Sequence, residues 1–438
     1  MTTRTTTDGG RGPHMARPLR LTVWGRALLL LIGGTLPVVA PLPAWALTFT
    51  HTQLTTSTGG NNFDSSINAN GTKIAFYSTS NLTGGNPDGN MEIFLWTAGA
   101  GLTQITTSTG GRNESPSINA DGTKIAFSST HDLTGGNADG NQEIFLWIAG
   151  AGFTQITSTT GGGNYSPSIN SDGTKIAFQS DRNLTGGNLD GNTEIFLWTQ
   201  GSGFTQLTTT TGGYNTSASI NADGTKIVFY STNNLTGGNA DGNYEIFLWT
   251  QGSGITQLTA STGGDNREPS INADGTKIAF ESDRDLTGGN PDGNWEIFLW
   301  TQGSGITQLT ASTGGDNREP SINADGRKIA FYSTNNLTGG NPDGNYEIFL
   351  WTQGSGFTQL TTTTGSGSDN FSPSINSDGT KIAFESSSDL TGGNTDHNYE
   401  IFLATLNPHP DIKANSADGP LTLSVGTLLS VTVALDPG

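Results

Sequence analysis

Residues 269–310 read P-S-I-N-A-D-G-T-K-I-A-F-E-S-D-R-D-L-T-G-G-N-P-D-G-N-W-E-I-F-L-W-T-Q-G-S-G-I-T-Q-L-T, and near copies of this stretch fill most of the chain. Its E-I-F-L segment recurs at intervals of 51 residues five times and of 53 residues once. The copies of that segment begin at Glu92, Glu143, Glu194, Glu245, Glu296, Glu347 and Glu400. A repeat of this length cannot bury both of its faces alone, so it must stack on its neighbours.

Each copy contains four short runs with β patterning. In the quoted copy they are residues 269–272, 276–282, 296–301 and 306–310. Asp274-Gly275 between the first two runs suits the positive φ of a tight hairpin turn. The third run has four consecutive apolar residues, which is typical of a strand that is buried on both faces. One copy therefore predicts one four-stranded antiparallel sheet.

Seven such sheets around an axis form a closed ring in which every sheet is covered on both sides. The sequence thus predicts an all-β, seven-bladed β-propeller over residues 47–406. The seventh copy lacks its outer strand, whereas residues 48–56 carry the matching pattern T-F-T-H-T-Q-L-T-T. We predict that this N-terminal strand completes the last blade by pairing with residues 400–405, which leaves no unpaired edge. Ala404 marks the same seam, because the other six copies have Trp at that position.

The run D-G-T-K-I-A-F-x-S, followed by D-G-N-x-E-I-F-L, resembles the TolB-type (WD40-like) β-propeller repeat in all seven units. Within that family the chain looks like the subgroup with an enlarged L-T-G-G-N-x-D-G-N loop. The resemblance implies a bacterial envelope or secreted protein that binds other proteins or glycans. It does not imply the role of TolB itself, whose propeller follows an α/β domain that has no counterpart here.

The two ends of the chain have different patterns. Arg17, Arg20 and Arg26 precede the apolar stretch 27–40, and Ala44-Trp45-Ala46 has the form of a cleavage site. Residues 1–46 are therefore predicted to be a signal peptide with Met15 as an alternative start, and we expect a periplasmic or secreted protein. An uncleaved membrane anchor is the other interpretation. Residues 407–438 read as a linker followed by a partial immunoglobulin-like segment or a docking tail.

Composition limits the classes of partner. Residues 1–46 carry five arginines and one aspartate, so the remainder has 14 basic and 37 acidic residues. That balance argues against nucleic acid and anionic membrane surfaces, and it leaves cationic ligands and metal ions open. The chain has no cysteine, so neither disulfides nor a thiolate metal site is available. We expect a monomer without a membrane span after cleavage, whose partner is an envelope or extracellular protein or a glycan.

The connections between copies vary most in sequence, and strand order places them on the same face as the long loop after the second strand. A binding surface built from several blades requires near-identical strands joined by loops of different sequence. Neutral sequence change at solvent-exposed positions gives the same pattern. The candidate contact residues are Arg112, Glu114, Tyr165, Tyr214, Asp265, Arg267, Glu268, Asp316, Arg318, Glu319 and Phe371. Aromatic residues beside these loops either stack on a ligand or pack between blades.

The long loop N-x-D-G-N-x-E places oxygen-bearing side chains at every second residue, an arrangement that suits a hard cation such as calcium. The candidate ligands are Asp88, Glu92, Asp139, Glu143, Asp190, Glu194, Asp241, Glu245, Asp292, Glu296, Asp343 and Glu347. Turn formation by Asp and Asn explains the same residues without a metal. In the last copy His397 replaces the glycine. No cofactor other than calcium is expected.

Catalysis has little support in the sequence. The histidines are few and unrelated in position, and the innermost strands offer rings of Ser, Ile and Asn, which do not titrate near neutrality. We therefore predict an exported, non-catalytic binding scaffold that uses its long-loop face. Two alternatives remain: a carbohydrate-active lyase or hydrolase with loop carboxylates at the channel mouth, and a calcium-stabilised structural protein of the cell surface.

Overall fold

The computed structural model describes residues 48–365 and 367–407. They form seven four-stranded antiparallel sheets, and each sheet is one blade of a β-propeller. This confirms the predicted fold class. Within the described ranges no helix is long and apolar enough to cross a membrane. The predicted signal peptide, and the predicted tail beyond residue 407, lie outside the described residues.

Each blade contributes four strands. The innermost strands are β2 (Asn62–Ile67), β6 (Asn113–Ile118), β10 (Asn164–Ile169), β14 (Asn215–Ile220), β18 (Asn266–Ile271), β22 (Asn317–Ile322) and β26 (Asn370–Ile375). The second strands are β3 (Lys73–Ser78), β7 (Lys124–Ser129), β11 (Lys175–Ser180), β15 (Lys226–Ser231), β19 (Lys277–Ser282), β23 (Lys328–Ser333) and β27 (Lys381–Ser386). The third strands are β4 (Glu92–Thr97), β8 (Glu143–Ile148), β12 (Glu194–Thr199), β16 (Glu245–Thr250), β20 (Glu296–Thr301), β24 (Glu347–Thr352) and β28 (Glu400–Leu406). The outer strands are β1 (Phe49–Gln53), β5 (Gly101–Gln104), β9 (Gly152–Gln155), β13 (Gly203–Gln206), β17 (Gly254–Gln257), β21 (Gly305–Gln308) and β25 (Gly356–Gln359).

The hydrophobic core lies between neighbouring blades. Ala75 and Ile93 of the first blade pack against Ile125 and Phe127 of the second, and all four side chains are fully buried. The same contact recurs around the ring with the equivalent residues. Because each blade is covered by two others, its second and third strands are apolar on both faces. This explains the unbroken I-F-L runs of the sequence.

The N-terminal strand closes the ring as predicted. Strand β1 pairs antiparallel with β28 of the last blade, in a register that places His51 opposite Ala404. The His51 ring packs edge-on against Phe384, with the ring centroids 6.0 Å apart. Phe153 makes the equivalent edge-on contact with Phe127 in the second blade. His51 therefore occupies the position of an outer-strand apolar residue.

Two rings of polar contacts also join the blades. In the first, a backbone N–H donates to the Ser Oγ of the preceding blade, as Ile118 does to Ser66 at 3.1 Å, and Ile67 closes the ring on Ser374. In the second, a fully buried third-strand Glu accepts a hydrogen bond from the first Asn of the next blade. These pairs are Glu92–Asn113, Glu143–Asn164, Glu194–Asn215, Glu245–Asn266, Glu296–Asn317, Glu347–Asn370 and Glu400–Asn62.

The innermost strands begin earlier than the sequence pattern predicted. The run at 269–272 was taken as the first strand of its blade, but β18 already starts at Asn266. The register shifts between Arg267 and Ser270, and a bulge of this kind occurs in the innermost strand of every blade. A bulge breaks the alternation of side chains, so the pattern did not extend through it. Several residues assigned to inter-blade loops therefore lie on strands that line the channel.

Candidate functional site: the acidic mouth of the central channel

Both long connections of each blade lie on one face of the propeller, which we call the long-loop face. One follows the second strand and the other joins the outer strand to the next blade. Among the candidate contact residues, those at the start of the innermost strands lie at the opening of the central channel on this face: Glu114, Tyr165, Arg267, Glu268, Arg318, Glu319 and Phe371. Arg112, Tyr214, Asp265 and Asp316 lie just before those strands.

The bulge aims one residue of each innermost strand into a cavity of about 420 Å³, and we call this cavity the channel mouth. These seven residues are Asp64, Ser115, Ser166, Ser217, Glu268, Glu319 and Ser372. All of them have φ between 45° and 53°, the left-handed region that non-glycine residues adopt at a cost of about 1–2 kcal/mol each. Backbone strain of this kind concentrates where a structure must hold a side chain in a set direction. The ring is asymmetric because three of its members are acids and four are serines.

Two further carboxylates, on second strands, lie directly behind the wall of the channel mouth. Glu281 is 2% exposed, and its Oε2 accepts the backbone N–H of Glu319 on the next blade at 2.7 Å. Glu385 is 4% exposed and accepts the backbone N–H of Asp64 at 2.6 Å. Gln179 holds the equivalent position and accepts the backbone N–H of Ser217 at 2.9 Å. The contact between blades is therefore made by an amide as well as by a carboxylate.

The carboxyl groups of the mouth hold protons more tightly than usual. Burial, reinforced by the charge of Glu268, raises the pKa of Glu281 to about 8. Burial and the charge of Asp64 likewise raise the pKa of Glu385 to about 8, and burial and Glu268 raise that of Glu319 to about 7. Burial and the charge of Glu114 raise the pKa of Asp64 to about 6, although its side chain is exposed to channel water. Burial is the main cause of all four shifts, and repulsion between acids adds to it.

Aromatic and arginine side chains lie beside the channel mouth on the long-loop face. The Arg318 guanidinium lies 4.4 Å from the centre of the Trp295 ring, and the Arg267 guanidinium lies between Trp295 and Tyr244. Both arginines also pair with an aspartate two residues earlier in the chain. On the other side of the propeller, aromatic side chains form a continuous series of contacts from the sixth blade through the seventh to the first. They are Tyr332, Tyr346, Phe371, Tyr399, Phe63 and Tyr77.

Two large apolar side chains are exposed on the long-loop face, at the boundary between the third and fourth blades. Leu189 is 87% exposed and Tyr214 is 60% exposed. The neighbour of Leu189, Asp190, accepts the backbone N–H of Gly212, and Thr193 forms an isolated bridge with Tyr214. These contacts bring the loop of the third blade beside the connection to the fourth. Exposed apolar side chains on a face that also carries the pocket are typical of a contact surface.

The opposite end of the channel is neutral. Its cavity of about 220 Å³ is lined by Ile, Ala, Asn and Ser residues of the innermost strands and their tight turns. We predicted such neutral rings for the whole channel, and that prediction was wrong at the long-loop end. There the bulge replaces the alternating pattern and places Asp64, Glu268 and Glu319 in the wall.

The candidate calcium ligands fall into two structural groups. The six candidate glutamates, Glu92 among them, begin third strands and are fully buried, and their oxygens accept hydrogen bonds from the inter-blade loop and the next blade. The loop aspartates are exposed, and one oxygen of each accepts a backbone N–H from the inter-blade connection, as Asp88 does from Gly110 at 2.7 Å. Within residues 48–365 and 367–407, no group of three or more His, Asp or Glu side chains is close enough to hold a metal.

Sequence reasoning missed Glu281 and Glu385. Both follow the Phe of a K-I-A-F strand, at a position that holds Tyr, Ser, Gln or Glu in the seven copies. That variation within an otherwise constant strand was the available signal. Asp64 was read as part of a variable tip but was not included among the contact residues. Its position at the channel depends on the bulge, which the sequence did not reveal.

Comparison with known proteins identifies the fold. No protein-family model and no curated protein sequence matches the chain. The structure is similar to an oligogalacturonate lyase from Vibrio parahaemolyticus, with a TM-score of 0.56 and 14% identity over 82% of this chain and 97% of that one. It is also similar to the β-propeller domain of the Trilobed protease from Pyrococcus furiosus, with a TM-score of 0.53 and 11% identity over 80% of this chain and 98% of that one.

TolB from Acinetobacter baumannii is 21% identical, with a TM-score of 0.43, over 65% of this chain. The chain covers 62% of the length of that TolB. Identities this low show the fold and leave activity open. The chain is a seven-bladed β-propeller, and its structural neighbours include TolB-like propellers.

Proposed function

We propose that the protein is an exported, non-catalytic binding scaffold whose channel mouth receives a cationic side chain of a protein partner. One observation supports this most directly. Five carboxyl groups lie in or directly behind the wall of the mouth, and two arginines lie beside it: Arg267 pairs with Asp265, and Arg318 pairs with Asp316 and with Glu281, one of the five. The carboxyl groups are Asp64, Glu268, Glu281, Glu319 and Glu385.

The charge at two of these positions is not needed for the fold. Gln179 makes with a neutral amide the blade-to-blade contact that Glu281 and Glu385 make with carboxylates. The acids therefore add mutual repulsion and burial of charge to that contact, and Glu281 also pairs with Arg318 at 3.5 Å. A bound ammonium or guanidinium group relieves both, because an opposite charge nearby favours the ionised form of each carboxyl. Binding in this mode releases protons near neutral pH.

A protein partner fits the surroundings of the mouth. Leu189 and Tyr214 supply exposed apolar surface on the same face, and aromatic rings line part of the rim. Interfaces commonly combine an aromatic or apolar contact with a charged anchor in a pocket. Export to the periplasm or the exterior is part of the proposal and depends on the predicted signal peptide. Membership of the subgroup with enlarged L-T-G-G-N loops also remains a prediction.

The test uses peptides as probes. A panel of fluorescent decapeptides that contain lysine or arginine is titrated against the protein, with glutamate-containing peptides of equal length as the negative set. We expect binding of basic peptides only, and a loss of affinity of tenfold or more in the double variant Glu281→Gln and Glu319→Gln. The matched control is Asp121→Asn with Asp172→Asn, which changes net charge equally on the opposite face. An equal loss of affinity in both variants would show that the net charge of the protein, and not the channel mouth, determines peptide binding.

A carbohydrate-active enzyme is the second candidate, because a carboxyl group with a raised pKa is what a general acid requires. Glu281 and Glu319 have such shifts. Incubation with acidic and neutral oligosaccharides, followed by product analysis, distinguishes the two functions. The scaffold proposal expects no turnover. If the protein cleaves an oligosaccharide and the Glu319→Gln variant does not, the protein is an enzyme and the scaffold proposal is wrong.

A further inference from the structure

A second polar feature recurs seven times away from the channel mouth. Each long loop contains the sequence N-x-D-G-N, with His397 in place of the glycine in the last copy, and we call these stretches the Asn-Asp loops. They are residues 86–90, 137–141, 188–192, 239–243, 290–294, 341–345 and 394–398. In each loop the side-chain oxygens of both asparagines are buried and have no hydrogen-bond partner among the described residues.

The loop of the fifth blade shows why these oxygens stay unpaired. Asn290 is 2% exposed, and its Nδ2 donates to the backbone oxygen of Asn294 at 2.8 Å. The Nδ2 of Asn294 donates to Glu296, and also to the backbone oxygen of Gly315 at 2.9 Å. Turning either amide over would bring two oxygens together. The orientation that leaves Oδ1 without a donor is therefore fixed by the neighbours.

The first asparagine is at most 2% exposed in every loop, and its Nδ2 always donates to the backbone oxygen of the second. A buried oxygen without a partner costs about 1–3 kcal/mol. Fourteen such atoms repeated in register around one ring are not a local packing fault. A bound group that accepts electron pairs from oxygen would account for them.

The third member of each loop is an exposed acid. Asp292 accepts the backbone N–H of Gly314 with one oxygen at 2.9 Å, and it stands two residues from each asparagine of its own loop. The buried Glu296 is occupied by Ser312 and Asn317 and does not belong to this set. Two amide oxygens and one carboxylate form a ligand set of the type that calcium accepts, with water completing its coordination.

We propose that each Asn-Asp loop binds a calcium ion through its two asparagine oxygens and its aspartate. Three protein ligands with a single negative charge favour affinities in the millimolar to sub-millimolar range, as in extracellular modules. Magnesium is disfavoured because it loses its water reluctantly and requires strict octahedral geometry. This inference is independent of the channel mouth and of its partner.

The test compares two variants of equal charge. The loop variant replaces six loop aspartates by asparagine: Asp139, Asp190, Asp241, Asp292, Asp343 and Asp396. The control variant makes the same change in the turns of the opposite face, at Asp121, Asp172, Asp223, Asp274, Asp325 and Asp378. Asparagine keeps an acceptor oxygen at every position, so both variants retain the contacts of the turn or loop. Ion binding is measured by titration calorimetry and by thermal unfolding, with calcium or magnesium as the probe.

For the unmodified protein we expect about seven calcium ions per chain and a melting temperature that rises with calcium and much less with magnesium. The control variant should behave in the same way, whereas the loop variant should lose at least five of the seven sites. Equal losses in both variants would overturn the proposal, because general screening of negative charge would then explain the effect. The proposal would also be overturned if the unmodified protein showed neither a heat of calcium binding nor a calcium-dependent rise in its melting temperature. That result would assign the buried oxygens to trapped water.

Discussion

The backbone N–H of Glu319 donates a 2.7 Å hydrogen bond to Glu281 of the preceding blade, so two acids of the channel mouth are held against each other across a blade boundary. Glu385 and Asp64 repeat this relationship at the seam between the last blade and the first. The same contact contributes to the integrity of the ring and fixes the position of the acids.

Replacing Glu281 by Gln should stabilise the isolated protein at alkaline pH. The amide keeps the acceptor for the backbone of Glu319, as Gln179 does for Ser217, and removes a charge from a site that is 2% exposed. A pKa raised from 4.5 to about 8 corresponds to a gain on the order of 5 kcal/mol above pH 8. Urea unfolding at pH 9 measures it, with Gln179→Glu as the reverse substitution. A destabilised Glu281→Gln variant would contradict the electrostatic account.

The stability of the protein should be greatest near pH 5. Glu281 and Glu385 have pKa values of about 8 in the folded protein, compared with about 4.3 in an unfolded chain. Between these values the folded state binds more protons, so its stability falls as pH rises toward 8. At the acid end, hydrogen bonds from Thr123 lower the pKa of Asp121, and the equivalent turn aspartates behave alike. Their contribution is lost as pH falls below about 4.

Thermal unfolding from pH 3 to pH 9 in the presence of a chelator measures this profile. The chelator removes any contribution of metal ions, and constant ionic strength keeps screening equal at every pH. A melting temperature that does not fall between pH 5 and pH 8 would contradict the raised pKa values of the carboxyl groups of the mouth.

Replacing Glu194 by Ala should destabilise the ring strongly. This fully buried carboxylate accepts hydrogen bonds from Thr210 and from Asn215 of the next blade. Removing it leaves buried donors without an acceptor, so we expect a loss of about 3–5 kcal/mol in the free energy of unfolding. Asp190→Ala, in the exposed loop of the same blade, is the control and should change it by less than about 1 kcal/mol in the absence of calcium. Similar losses in both variants would contradict the structural role of Glu194.

A chain that begins at residue 58 should lose its cooperative unfolding. It lacks β1, so β28 becomes an open edge and the hydrogen bonds from Ser57 to Glu400 disappear. An open ring exposes a strand edge that promotes aggregation. The comparison is with a chain that begins at residue 47, by calorimetry and size-exclusion chromatography. Identical melting temperatures would show that closure by β1 contributes little.

The repeat made the fold accessible from the sequence, because spacing, turn residues and apolar runs all indicated the same blade. Closure could be predicted as well, since residues 48–56 supplied the strand that the last copy lacked. The channel mouth was harder to foresee. Its acids become neighbours through a bulge that interrupts the alternation of the innermost strand, and no period in the sequence marks that bulge. Asp64 is remote in the chain from Glu385 and meets it only once the ring is closed, whereas Glu281 and Glu319 meet across neighbouring blades.

The glutamates of the E-I-F-L segments illustrate the limit of reading spacing alone. The sequence analysis placed Glu92 and its equivalents at the start of third strands and also among the candidate metal ligands. In the structure they begin strands, point between blades and accept the Asn of the next blade. Spacing alone could not distinguish a ligand from a buried acceptor, because both require an oxygen at that position.

Proton release on binding tests the central claim most directly. The affinity of a lysine-containing peptide is measured by calorimetry between pH 6 and pH 9, in buffers with different ionisation heats. The account predicts that affinity rises with pH through the pKa values of Glu319 and Glu281, about 7 and about 8, with protons released to the buffer. It also predicts that the Glu281→Gln and Glu319→Gln double variant loses this dependence. Affinity that is constant over this range, without proton release, would contradict a cation-binding channel mouth.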